Sequence, residues 1–153
     1  MSPRFLTLIL LAAAVGAQTI DRTKPPQTPA IPSYKLPPIF ETKLPNGMAV
    51  SLVEDARFPL VTARLSFMAG SKFDPKDSPG LAEAVASLLT EGTKTRTSRE
   101  ISEATDDIGA SMGAGAGPDA LTVSGNTLSD NLDRFLELMA DAVRNAAFPQ
   151  DEV

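Results

Sequence analysis

The chain has 153 residues with a formal net charge of -5, and 42% of its residues are hydrophobic, enough for a packed domain. No run of Lys or Arg builds a basic stripe, so nucleic acid is excluded as a partner on electrostatic grounds. With no Cys and no His, the chain offers no disulfide, thiolate nucleophile, imidazole base or usual zinc nitrogen ligand.

The first residues, MSPRFLTLILLAAAVGAQT, place Arg4 before an apolar core from Phe5 to Val15 and the small residues Gly16 and Ala17 after it. That pattern predicts a secretory signal over 1–17, with export to the periplasm or cell exterior. The apolar run is short for a bilayer crossing, so a stable membrane span is not expected. From Gln18 to Ile39, six prolines (Pro25, Pro26, Pro29, Pro32, Pro37, Pro38) in a polar background predict an extended linker.

A domain is expected over 40–153. Phe40–Leu44 and Met48–Glu54 flank Pro45-Asn46-Gly47, and Asn-Gly favours positive φ at both central turn positions, a hairpin signal. A third strand is expected over Leu60–Ala69. In GLAEAVASLLTEGT, Ser78 is the expected cap and Pro79 the first helical residue. Leu81, Val85, Leu88 and Leu89 form the expected buried stripe, with Gly92 as a left-handed stop. Thr97 and Glu100 have capping-box spacing for a second helix that buries Ile101, Ala104 and Ile108 and ends at Gly109. Ala110–Gly117 and Ala120–Thr127 form a second expected hairpin around Gly117-Pro118-Asp119. A third helix is expected from Ser129 to about Asn145, with Leu132, Phe135, Leu136, Met139 and Val143 on one face.

Two hairpins with helices and no βαβ alternation predict an α+β fold, an antiparallel sheet packed on helices. The acidic ending Gln150-Asp-Glu-Val153 after Pro149 reads as the start of a helix, so an incomplete half-domain is expected.

The order of these segments, LPNGMAVSLVEDARFPLVTARLSFMAGSKFD, then GLAEAVASLLTEGT, then SREISEATDDIGASMGAGAGPDALTVSGNTLSDNLDRFLELMADAVRNAAFP, resembles the insulinase-like (pitrilysin) zinc metallopeptidases. Active members of that family carry H-x-x-E-H on the first helix. Two His ligands four residues apart share a helix side there, and the Glu polarises the attacking water. Laid on that pattern, the first His position is Glu83, the Glu position is Ala86 and the second His position is Ser87. Ala86 has no base and Ser87 is a poor ligand, so the motif is degenerate and zinc is expected only in a catalytic partner.

The resemblance implies a non-catalytic subunit or domain that pairs with a zinc-bearing insulinase-like homologue, as a heterodimer or second domain, and helps to bind peptide substrate. The Gly/Ala-rich strand ASMGAGAG supplies the peptide-contact candidates Met112, Gly113, Ala114 and Gly115, on an edge to which an extended peptide could add. The plainer alternative is that these small residues permit close packing of helix on sheet. Two further alternatives are an active zinc peptidase with an atypical or externally supplied site, and a structural interaction module of the cell envelope. Glu103, Asp106 and Asp107 are read as a solvated helix face, and Asp119 as a turn residue.

Overall fold

The structure, a computed structural model, describes residues 29–31, 33 and 35–149. The proposed signal segment and most of the proline-rich stretch lie outside them. The chain divides into two units at Pro38, and the described residues of the first carry no regular secondary structure.

In the second unit, β1 (Ile39–Lys43) and β2 (Ala49–Val53) pair antiparallel, with Lys43 opposite Ala49. Their connection is the expected Pro45-Asn46-Gly47 segment, but without positive φ at both Asn46 and Gly47. Leu44 and Met48 still pair, with a 2.9 Å bond from Leu44 N to Met48 O, and Pro45-Asn46-Gly47 form a three-residue loop. Only Gly47 takes positive φ (89°), while Asn46 Oδ1 accepts from the Met48 amide. Both faces of the ribbon are largely exposed: Ile39, Phe40, Leu52 and Val53 all reach solvent.

A second antiparallel sheet has the order β3-β5-β4, built from β3 (Leu60–Phe67), β4 (Ser111–Ala116) and β5 (Leu121–Leu128). β3 stops two residues short of the expected end. Its alternation holds, with Val61, Ala63 and Leu65 turned inward and half-buried. Three helices cover one face: α1 (Leu81–Leu88), α2 (Ser98–Asp106) and α3 (Leu132–Arg144). The core joins Ala86 and Leu89 from α1 and the residue after it, Leu121 and Val123 from β5, and Phe135 and Met139 from α3. The α+β expectation therefore stands.

The beginning of α1 differs from its expected form. Gly80, at φ 90°, is the cap residue, and the Ser78 side chain makes no cap bond. Asp74 supplies the missing acceptor: its carboxylate takes the Gly80 amide at 2.7 Å and the Ala82 amide at 2.9 Å. A negative group at a helix start satisfies orphan donors and opposes the macrodipole.

The stripe also turns relative to expectation. Ala82, Ala86 and Leu89 are buried and Val85 is half-buried, whereas Leu81 is exposed. Gly92 does not take positive φ; it bridges to Thr97, and an added Cβ would meet Pro149 Cγ at 2.8 Å.

α2 follows its sequence closely. Thr97 and Glu100 make both halves of the capping box, Ile101 is buried, and Gly109 takes φ 58°. Thr105 is buried beside Ile101, a position missed because its hydroxyl is satisfied locally by Ile101 O. α3 is preceded by a 3-10 turn at Ser129–Asn131. It buries Phe135, Leu138, Met139 and Ala142, and leaves Leu136 exposed against expectation.

The link between α1 and α2 is tied to the end of α3. Lys94 N donates to Asn145 O, and Ala147 N to Gly92 O. Asp141 on α3 accepts from Thr93 Oγ1 (3.0 Å), Thr95 Oγ1 (3.1 Å) and Asn145 Nδ2 (2.8 Å), and pairs with Arg96. Its side chain is only 12% exposed. Burial pushes the Asp141 carboxyl upward, but the bonds from Asn145, Thr93, Arg96 and Thr95 outweigh it and hold the group below its usual range.

Candidate functional site: a helix beside a sheet edge

The three motif positions on α1 have three separate fates. Ala86 is 1% exposed and packs in the core cluster with Leu89, Val123 and Phe135. Ser87 is exposed, and its hydroxyl donates back to Ala84 O at 2.9 Å within its own helix. Glu83 is exposed too, and its Oε2 accepts the backbone amide of Ala116 at 3.0 Å. The structure thus joins two groups of candidates, the motif helix and the Gly/Ala-rich strand.

β4 lies at the edge of its sheet, with β5 on one side only. Its residues divide by parity. The side chains of Met112, Ala114 and Ala116 pack against the core beneath the helices. Gly113 and Gly115 face the other way, where an added Cβ would meet nothing within 4 Å. These two glycines therefore do not serve close packing of helix on sheet.

That duty falls on Gly125 in β5, where a Cβ would come within 2.0 Å of Ser111 O and 2.8 Å of Phe135 Cζ. Gly70 is a second close approach, with Gly117 O only 2.4 Å from an added Cβ. Neither could be singled out from sequence, because each depends on atoms brought in from distant segments.

Over the outer face, Thr62, Arg64, Gly113, Ser124 and Asn126 line a shallow depression of about 380 Å³. A second cleft, about 350 Å³, opens between α2 and the start of β4, with Glu91, Ser98, Asp106 and Met112 in its wall. Glu91 accepts from Ser98 Oγ at 2.8 Å. Of the remaining acidic candidates, Asp107 is exposed, Glu103 pairs with Arg99 one turn earlier, and Asp119 pairs with Lys72.

A hydrolytic zinc needs several converging donors and a base near the bound water. The residues at the motif positions do not fit one. A buried methyl stands at the base position, a hydroxyl is turned to its own helix at one ligand position, and a carboxylate is held by a strand amide at the other. Among the described residues, no three His, Cys, Asp or Glu side chains are grouped to hold a metal ion.

The architecture is a three-stranded antiparallel sheet under three helices, with the first helix set against the sheet edge. The family model for Insulinase (Peptidase family M16) matches residues 49–153, and the chain belongs to that family. It is 30% identical over 112 residues to an uncharacterized zinc protease of Rickettsia bellii, covering 73% of this chain and 27% of that protein. It is 28% identical to a probable mitochondrial-processing peptidase subunit beta of Arabidopsis thaliana, covering 73% of this chain and 21% of the relative. Among solved structures, a peptidase M16 inactive domain from Pseudomonas fluorescens superposes with a TM-score of 0.71 at 31% identity, over 74% of this chain and 28% of that one. The chain thus spans about a quarter of the length of these relatives.

Proposed function

We propose that this chain is a non-catalytic subunit or domain of an exported insulinase-like peptidase, which pairs with a zinc-bearing homologue and contributes a peptide-binding edge. The observation that carries the reading is the state of α1. Its packing face is kept, while Glu83, Ala86 and Ser87 are engaged in contacts incompatible with a catalytic zinc.

Further support comes from the exposed apolar side chains of the β1–β2 ribbon. A two-stranded ribbon is marginal alone, and such surface suits a second domain or subunit. Among the relatives, one is named as a subunit of a processing peptidase and a structural neighbour as an inactive domain. Export rests on the Arg4, Phe5–Val15, Gly16-Ala17 pattern. Among the described residues, no helix is long and apolar enough to cross a membrane.

The peptide-binding part of the reading assigns Met112 and Ala114 main-chain contacts along β4. Gly113 and Gly115 leave room for an extended segment to lie close. The test is co-expression with a homologue that carries H-x-x-E-H. The reading predicts a complex that survives purification and cleaves peptides only while the homologue's His residues are intact. A chain that never associates with such a homologue, at any concentration, overturns it.

A further inference from the structure

We infer that Glu83 is an edge plug: by taking the Ala116 amide, it sets how far along β4 an added strand can pair. This rests on the reading of β4 as a peptide-binding edge and specifies that edge's length.

Along an antiparallel pair, hydrogen-bonded and non-hydrogen-bonded residue pairs alternate. Gly117 N donates to Ala120 O at 2.8 Å, so Gly117 and Ala120 form a bonded pair at the hairpin mouth. Counting back along the register, Gly115 faces Thr122 and Gly113 faces Ser124, and these share that bonded parity. Ala116, Ala114 and Met112 lie between them, so their main-chain groups point away from β5, toward the open edge. The Glu83 contact confirms the direction, since the Ala116 amide reaches a carboxylate on α1 and not β5.

Three outward amides therefore lie along β4, and one of them is already engaged. A peptide adding to the edge meets free groups at Met112 and Ala114. At Ala116 it must displace a charged acceptor held by a helix. A hydrogen bond to a charged group exceeds a neutral one, so displacement is unfavourable and pairing stops at Ala114. Charged side chains are a general means of closing sheet edges. At this position the plug stands where the family pattern has its first metal ligand.

The test uses the full chain, its E83A and E83Q variants, and two labelled probes: a long alternating Val/Thr peptide and its half-length version. E83A frees Ala116, and the long peptide then binds about 5-fold tighter, the effect of one further net hydrogen bond. E83Q keeps an acceptor at the same reach but loses the charge, so the long peptide binds it with an affinity between those of the wild type and E83A, and the half-length peptide binds all three proteins alike. In the free protein, amide exchange at Ala116 rises about 5-fold in E83A and by a smaller factor in E83Q. Equal binding of the long peptide by wild type and E83A overturns the plug while leaving the peptide edge intact. Failure of both peptides to bind any of the proteins overturns the peptide edge, and the plug with it.

Discussion

The two faces of the β3-β5-β4 sheet use glycine for opposite reasons. On the inner face, Gly125 is a steric necessity: Ser111 O and Phe135 Cζ occupy the volume a side chain would need. On the outer face, Gly113 and Gly115 look into open space, and nothing in the described unit demands them. Glycine in a strand weakens it, because it adds unfolded-state entropy and packs nothing. The inner glycine is thus explained by the fold, whereas no contact within the unit explains the outer pair. A sequence shows both as the same letter.

The largest effect is expected at Gly125. Gly125→Ala forces a methyl group into backbone and ring atoms, and the expected loss is about 2–4 kcal/mol, read from urea unfolding. A loss below about 0.5 kcal/mol would show that the inner face is looser than described.

The next effect lies where α3 fastens the link between α1 and α2. Asp141→Ala leaves Thr93, Thr95, Arg96 and Asn145 without their shared acceptor, and about 1–3 kcal/mol should be lost at neutral pH. Because the folded pKa of Asp141 is depressed, its contribution is fully present above the unfolded value. It fades as pH falls through the lower folded value. The difference between wild type and the variant should therefore shrink below about pH 4, near the ordinary carboxylate pKa. A gap that stays constant through acid unfolding would contradict the assignment.

Smallest of all should be Gly113→Ala. No atom obstructs the methyl group and φ is not positive, so stability should change by no more than about 0.5 kcal/mol, in the stabilising direction. If peptide binding by that variant falls while its stability holds, the outer glycines serve the edge. If both stay unchanged, their absent side chains serve no contact there.

Features of the fold that depend on neighbouring residues were legible in the sequence, and those that depend on distant ones were not. The capping box of α2 involves only Thr97 and Glu100, so its spacing announces it. The hairpin turn over Pro45-Asn46-Gly47 was found for the same reason, although only Gly47 is left-handed. α1 is capped from Asp74, across the turn containing Pro75 and Pro79, so Ser78 looked like the better candidate. Its stripe was only partly placed because large side chains draw attention, whereas the buried residues of the helix are the small Ala82 and Ala86, the latter in the core with Leu89. Leu136 was chosen over Leu138 because it lies four residues after Leu132 and three before Met139, whereas Leu138 lies three after Phe135.

The candidate site was legible as a list and not as an arrangement. The motif positions Glu83, Ala86 and Ser87 and the strand Met112–Gly115 were both identified, but nothing local could show that Glu83 reaches Ala116, 33 residues away. That contact converts an erased ligand position into a structural one.

The central claim is that α1 has kept its packing without its metal chemistry. Zinc content and peptide hydrolysis, measured together on the purified chain after dialysis against micromolar zinc, test it most directly. The account predicts substoichiometric zinc and no cleavage; one tightly held zinc per chain accompanied by peptide cleavage would contradict it.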